Sequence, residues 1–178
     1  FNIIELAKFN KVNVEDLVVC ILDRERHNDE IEIIRSTGAR IKMINDGDVS
    51  AVISSVVTNS NIDMYYGIGG APEGVLAAAA LQCIGGTIEG QLLFNNDDEI
   101  KRAKQTGIQN LDKIYKLNDL AQGDIMFSAT GVTDGTMLKG VKITKNYAET
   151  HSIIMRSTTG TIRHINGEHN FNIKKLEI

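Results

Sequence analysis

The sequence predicts an α/β fold. Three apolar, β-branched segments alternate with three helix-like segments in the first half of the chain. Such alternation is typical of a mainly parallel sheet with helices packed on its faces. From about residue 112, strand-like segments separated by Gly, Asp and Asn predominate, which predicts antiparallel strands that could extend the same sheet. The 178 residues suffice for one compact core and show no break in composition, so we expect a single domain over residues 1–178.

The first half begins with an amphipathic helix over residues 1–12 and continues as three strand and helix pairs. The strands are predicted at residues 16–22 ("DLVVCIL"), 39–44 ("ARIKMI") and 61–68 ("NIDMYYGI"). The helices that follow them are predicted at residues 26–38, 46–59 and 72–86. Gly38 is expected to end the first of these helices, and Pro72 suits the first turn of the third.

The second half contains one more helix among strands. "GGTIEGQLLF" predicts a strand, and "DDEIKRAKQTG" predicts a short, polar, exposed helix. Further strands are expected in "KIYKL", "DIMFSATGV", "VKITKNYAETHSIIMRS" and "TGTIRHI", with a hairpin turn at Thr159 and Gly160.

Composition limits the possible partners and compartments. The net charge of −4 disfavours a general nucleic-acid surface, and the absence of an eighteen-residue apolar run predicts no membrane span. Cys20 and Cys83 lie in apolar runs without metal-ligand spacing, which indicates buried thiols in a reducing cytoplasm. The chain begins at Phe1 without a signal-like segment, so we expect a piece of a longer protein.

The turns after the first two predicted strands carry charged groups. In parallel sheets, ligands bind at the carboxyl ends of the strands, where these turns converge. Arg24 and Arg26 follow the first strand and could bind phosphate, although these residues alone slightly favour pairing with neighbouring carboxylates at the surface. Asp46 and Asp48 flank Gly47 after the second strand and suit sugar hydroxyls or a hydrated metal; Asp48 could instead be the N-cap of the next helix.

The turn after the third strand, "GIGGAPEG", resembles neither common nucleotide loop. Pro72 occupies the last glycine position of the dinucleotide pattern, and the P-loop lysine is missing. Gly69 and Gly70 could expose backbone N–H groups to an anion, and Glu73 lies in the first helical turn. A carboxylate beside a phosphate requires a cation between them, which favours Mg²⁺ or Mn²⁺.

Other polar residues are weaker candidates. The histidines form no pair at metal-ligand spacing, so we expect no catalytic or metal role for His27, His151, His164 and His169. Hydroxyls at the end of a strand could reach a phosphate, but they usually form local hydrogen bonds; these are Ser128, Thr130 and Thr133.

Four segments, "ILDRERH", "DGDVSAVI", "YGIGGAPEGVLAAAAL" and "FSATGVTDGTMLKGV", together closely resemble class II fructose-1,6-bisphosphatases, the bacterial type. These enzymes belong to the metal-dependent, lithium-sensitive sugar and inositol phosphatases. The resemblance implies a layered α/β/α sandwich with a mixed sheet. It covers only the carboxyl-terminal half of the family enzyme, so the expected partner is the missing amino-terminal half of the same protein, which carries most of the metal-binding acids.

The resemblance also implies roles for individual residues. The first loop would contact the phosphate that is not cleaved, the second loop the sugar hydroxyls, and Gly70 the scissile phosphate. The implied substrate-binding residues are Arg24, Glu25, Arg26, Asp46, Gly47, Asp48 and Gly70. Glu73 would be a ligand of Mg²⁺ or Mn²⁺, and the catalytic residues would lie in the missing half.

The implied activity is metal-dependent hydrolysis of the 1-phosphate of fructose 1,6-bisphosphate in gluconeogenesis, with no hydrolysis by these residues alone. A homo-oligomer without nucleic-acid or membrane partners is expected by analogy. Two alternatives stay open, namely a sedoheptulose-1,7-bisphosphatase of the same family and a non-catalytic sugar-phosphate-binding module. A nucleotide-binding α/β domain is disfavoured because both glycine patterns fail.

Overall fold

The structure, a computed structural model, describes residues 2–57 and 60–173. It confirms the α/β class, because parallel strands, antiparallel strands and helices are all present. The described strands form separate sheets of three, two and four strands, whereas the sequence suggested that the antiparallel strands could extend the parallel sheet.

The parallel sheet has the order β2-β1-β3. Its strands are β1 (Val18–Leu22), β2 (Arg40–Ile44) and β3 (Met64–Tyr65). All five residues of β1 pair with β2, and β1 is buried along almost its whole length. The strand β3 is much shorter than predicted, since only Met64 and Tyr65 pair with β1.

The described residues form six α-helices, which pack around the sheets, and five of these helices were predicted. Their bounds are α1 (Asn2–Asn10), α2 (Asn28–Ser36), α3 (Asp48–Ser54), α4 (Ala71–Ile84), α5 (Asp97–Gln105) and α6 (Leu117–Leu120). A 3-10 turn at Glu25–His27 leads into α2. Phe1, Thr58 and Asn59, which fall within two of the predicted helices, lie outside the described residues.

The antiparallel strands form the second half, as predicted. The strands β4 (Glu89–Gln91) and β5 (Ile114–Lys116) make a two-stranded sheet. The four-stranded sheet contains β6 (Met126–Thr130), β7 (Lys142–Ile143), β8 (Tyr147–Arg156) and β9 (Thr161–Asn170). The predicted hairpin joins β8 to β9, and Gly160 adopts a left-handed φ of 58° in its turn.

The helix α4 connects the two halves of the core. Ala77 and Leu81 pack with Val52 of α3, which covers the parallel sheet. Ala80 and Cys83, on the same helix, belong to a cluster with side chains of the four-stranded sheet, among them Met155 of β8. Small alanine side chains allow this close approach on several sides, so one helix serves both sheets.

No helix within residues 2–57 and 60–173 combines the length and the apolar character that a membrane crossing requires.

Candidate functional site

The carboxyl ends of β1, β2 and β3 meet at one edge of the parallel sheet. This follows from the parallel register, in which Leu22 lies opposite Ile44 and Cys20 opposite Tyr65. The three turns that follow these strands are therefore neighbours, as predicted, and side-chain contacts link them directly.

Arg24 ties the turn after β1 to the turn after β2. Its guanidinium donates to the backbone carbonyl of Asp23 at 2.8 Å and to that of Asn45 at 2.5 Å. The side chain is thus committed partly to holding the residue that precedes Asp46. The five ion pairs found among the described residues include neither Arg24 nor Arg26, so pairing with neighbouring carboxylates does not explain these arginines.

Arg26 ties the turn after β1 to the turn after β3. Its Nε atom donates to the carbonyl of Ile68 at 2.8 Å, directly before Gly69 and Gly70. The bond uses one edge of the guanidinium and leaves its two terminal nitrogens for another acceptor. Glu25, between the two arginines, is exposed at the start of the 3-10 turn.

The turn after β2 presents two carboxylates around a left-handed glycine. Gly47 has φ 90° and is the N-cap of α3, so the interpretation of Asp48 as the N-cap is wrong. Asp48 is the first helical residue, and a Cβ atom placed on Gly69 would lie 3.7 Å from its Oδ2 atom. Asp46 is exposed and accepts the N–H of Gly47 at 2.7 Å.

Gly70 and Glu73 form the entrance of α4. Gly70 is the N-cap with an ordinary φ of −71°, so its lack of a side chain matters for space rather than for backbone conformation. Glu73 Oε2 lies so close to Gly70 that a Cβ atom on this residue would clash with it. The carboxylate of Glu73 therefore folds back over the glycine turn, at the positive end of the helix dipole.

Two residues that the sequence did not single out for this site contribute to it. Burial raises the pKa of Tyr65, and the charge of Asp48 raises it further, so its hydroxyl stays protonated beside that carboxylate. His27 is fully buried and hydrogen bonds the turn after β3. No signal in the sequence distinguishes His27 from the other three histidines, because its partner Ile68 lies 41 residues further along the chain.

Two cavities in this region are lined by only some of the residues that were predicted to bind the substrate. Asp46 and Gly47 line a cavity of about 580 Å³ that reaches Lys42 and the turn at Thr133. A second cavity, of about 600 Å³, lies beside the start of α4 at Ala71. Arg26 and Glu73 line neither of them, so neither of these two cavities joins all three turns.

Most of the weaker candidates form hydrogen bonds within the second half of the chain, and Thr133 lines the cavity that Asp46 and Gly47 share. Ser128 and Thr130 are on β6, where Thr130 shares a hydrogen bond of 2.8 Å with Ser152 of β8. His151 accepts a backbone hydrogen bond from Lys139 at 3.0 Å. These are local contacts of the four-stranded sheet, in keeping with the structural interpretation.

The residues present match a hard divalent cation in type but not in number. Within residues 2–57 and 60–173, no three His, Cys, Asp or Glu side chains form a group that could hold a metal ion. Glu73 beside the turn, and Asp48 close to Gly69, offer oxygen atoms of the kind that Mg²⁺ and Mn²⁺ prefer. They would supply part of a ligand set that needs further donors.

Comparison with protein families decides the relationship. A family described as bacterial fructose-1,6-bisphosphatase, glpX-encoded, matches residues 1–169. The chain belongs to this family. The match covers all three turns at the edge of the parallel sheet, together with most of the antiparallel half.

Relatives of this bisphosphatase-family chain include proteins named D-fructose 1,6-bisphosphatase class 2/sedoheptulose 1,7-bisphosphatase. The protein of Trichodesmium erythraeum is 42% identical over 89% of this chain, and one from Acaryochloris marina is 39% identical over 96%. That of Microcystis aeruginosa is 38% identical over 92%. The chain spans about half the length of these relatives, namely 50%, 53% and 51%.

Proposed function

We propose that this chain is the substrate-binding part of a metal-dependent ketose bisphosphatase. The complete enzyme would hydrolyse the 1-phosphate of fructose 1,6-bisphosphate and release fructose 6-phosphate and phosphate, a step of gluconeogenesis. Membership of the family supports a bisphosphatase, and the names of the relatives support the two sugars as candidate substrates.

One observation carries the proposal. A cation and a carboxylate flank the same glycine turn, because Arg26 binds the carbonyl of Ile68 while Glu73 folds over Gly70. An anion at this turn would meet helix N–H groups and a guanidinium, with Glu73 positioned to share a cation with it. This combination fits a phosphate that reacts in the presence of a divalent metal.

The remaining residues would orient the sugar. Asp46 and Asp48, on either side of Gly47, could accept hydrogen bonds from hydroxyl groups of the ligand. The free terminal nitrogens of Arg26, supported by Arg24, would bind the phosphate that is not cleaved. Glu25 would contribute through its position at the start of the 3-10 turn.

Glu73 would hold a divalent metal together with donors outside the described residues. A bound Mg²⁺ or Mn²⁺ would neutralise phosphate charge and favour ionisation of a water. The residues of this chain bind and orient the substrate, and we infer that residues 1–178 act as one unit that needs a second half for turnover.

Complementation tests the proposal. The chain is assayed for phosphate release from fructose 1,6-bisphosphate with Mg²⁺ or Mn²⁺, alone and mixed with the half of the Trichodesmium relative that it does not match. We expect metal-dependent release in the mixture only. A Glu73→Gln variant should lower kcat and weaken metal activation, whereas Glu89→Gln, on the exposed strand β4, serves as the matched control.

Three outcomes would contradict parts of this proposal. Turnover by the 178 residues alone would refute the need for a second half. Binding of fructose 1,6-bisphosphate without turnover in the mixture would favour the non-catalytic module. Unchanged metal activation of the Glu73→Gln variant would remove Glu73 from the ligand set. A parallel assay with sedoheptulose 1,7-bisphosphate decides between the two sugars, because the relatives carry both names.

A further inference from the structure

Among the described residues, His27 is the one polar or charged side chain that is fully buried. Burial of a polar ring is unfavourable unless its hydrogen-bonding groups find partners. Both ring nitrogens of His27 do so. Nε2 lies 2.9 Å from the backbone nitrogen of Ile68, and Nδ1 lies 2.9 Å from the carbonyl oxygen of Leu22.

The partners fix the state of the ring. A backbone N–H can only donate, so Nε2 accepts from Ile68 and carries no proton. A carbonyl can only accept, so Nδ1 carries the proton and donates it to Leu22. His27 is thus a neutral ring with a defined tautomer. It accepts a hydrogen bond from the turn after β3 and donates one to the end of β1.

This bridge stands where the next hydrogen bond of the sheet would be. In a parallel ladder, successive N–H groups that donate to the same neighbour are two residues apart. Tyr66 N–H donates to the carbonyl of Cys20 at 2.9 Å. The next pair in that register is Ile68 N–H and the carbonyl of Leu22, and these are the two groups that His27 binds.

The imidazole therefore separates β1 from the turn after β3 without breaking the hydrogen-bonded connection. The neighbouring residue completes the arrangement, since Arg26 Nε donates to the carbonyl of the same Ile68 at 2.8 Å. Both polar groups of Ile68 are held by adjacent side chains of the 3-10 turn. The 3-10 turn is itself closed by a bond of 2.9 Å from His27 N–H to the carbonyl of Arg24.

We propose that His27 is a positioning residue that opens the edge between β1 and β3 and fixes Gly69 and Gly70 beside Arg26. The inference rests on the proposed function for its kinetic consequence, although the arrangement of the turn is independent of it. The imidazole sets the width of the opening, and the bond to Ile68 sets the direction of the following amides. No contact of His27 with the substrate is involved.

Two variants separate the bridge from simple core packing. His27→Gln places an amide oxygen near the position of Nε2 and can accept from Ile68. His27→Asn places an amide nitrogen near Nδ1, so it can donate to Leu22 but does not reach Ile68. Both remove the ring, but Asn is one methylene shorter than Gln and leaves the larger void, so we expect a somewhat lower melting temperature for His27→Asn. The glycine turn should distinguish the two variants in kind, because only His27→Gln can accept the N–H of Ile68.

The first measurement is amide hydrogen exchange in the 178-residue chain. The Ile68 amide should exchange at a rate within a few-fold of the parent in His27→Gln and at least about tenfold faster in His27→Asn, as expected for the loss of one buried hydrogen bond. Equal exchange rates in the two variants would overturn the proposal. If neither variant folds, the nitrogen NMR shifts of the parent decide, because a protonated Nε2 is incompatible with the bridge.

The second measurement is kinetic and uses the complemented enzyme. KM for fructose 1,6-bisphosphate should rise about tenfold in His27→Asn with little change in kcat, and His27→Gln should restore KM towards the parent value. An equal KM in both variants refutes the positioning role. If the proposed function itself is wrong, the result is different. The parent protein then also releases no phosphate, while the difference in exchange rate at Ile68 between the two variants remains.

Discussion

At the scale of single residues, the site depends on the space that Gly70 leaves by having no side chain. Gly70 has a backbone conformation that any residue can adopt, yet Glu73 Oε2 lies so close that a Cβ atom there would clash with it. The atom in conflict is the far end of a flexible side chain, so a substitution would move the carboxylate and leave the backbone intact. This separates the position of Glu73 from the stability of the fold.

Gly70→Ala should therefore weaken metal activation without unfolding the protein. We expect the metal concentration for half-maximal activity of the complemented enzyme to rise on the order of tenfold, since the ligand is displaced. Gly74→Ala is the matched control, because nothing lies within 4 Å of a Cβ atom there. Within the helix that control should stabilise the fold by roughly 0.5–1 kcal/mol in thermal unfolding. Unchanged metal activation in Gly70→Ala would contradict this account.

Arg26 combines two tasks that lysine cannot combine. The Nε atom holds Ile68 while the terminal nitrogens stay available, whereas an ammonium group is a single point charge. Arg26→Lys should raise KM for the bisphosphate about tenfold with a smaller change in kcat. The control is Arg35→Lys on α2, where the exposed arginine pairs only with Glu32 at 2.6 Å. A parental KM in Arg26→Lys would show that charge alone suffices.

At the scale of secondary-structure elements, local sequence signals predicted the elements whose bounds are set by neighbouring residues in the chain. Pro72 at the start of α4 and Gly85 at its end mark a helix whose bounds differ from the prediction by one or two residues. The strand β1 was predicted from its apolar run. The strand β3 was predicted too long at both ends. At its carboxyl end His27 binds the N–H of Ile68, and no local sequence pattern indicates a side chain from another turn.

The start of α5 provides an element-scale prediction that is independent of the site. Asn96 accepts the N–H of Glu99 at 2.9 Å, and Glu99 accepts the N–H of Asn95 at 2.8 Å, which is a reciprocal cap. Asn96→Ala should cost about 1 kcal/mol in chemical unfolding and leave KM unchanged. Asn96→Asp keeps an acceptor and adds charge favourable to the helix dipole, so it should retain stability. Equal losses in both variants would argue against the cap.

At the scale of the whole molecule, the arrangement of the sheets could not be predicted from the sequence. The alternation of segments indicates parallel strands and the later segments indicate antiparallel ones, but which strands join one sheet depends on contacts between distant residues. Here α4 separates the parallel sheet from the four-stranded sheet and packs against both. The convergence of the three turns could be predicted, because the turns after neighbouring parallel strands lie at one edge of a sheet. The roles of the individual residues in these turns stay predictions.

Two buried thiols test whether the molecule unfolds as one unit. Cys20 lies in β1, and Cys83 lies in α4 within the cluster that reaches the four-stranded sheet. Burial raises the pKa of both thiols, so at neutral pH less thiolate is present than in an unfolded chain. Because the thiolate is the reactive form, the folded protein should react slowly with an aromatic disulfide reagent, and the rate should increase on unfolding.

The measurement uses Cys20→Ala and Cys83→Ala, each of which retains one of the two thiols. If α4 couples the two sheets into a single cooperative unit, the remaining thiol should become reactive over the same fraction of the unfolding transition in both variants, once each curve is normalised to its own circular dichroism midpoint. Exposure of Cys83 ahead of the loss of circular dichroism, with Cys20 still protected, would mean that the four-stranded sheet opens separately. In that case the missing half of the enzyme would dock onto two independent parts of this chain rather than onto one preformed surface. The prediction of a single domain over residues 1–178 would then be wrong.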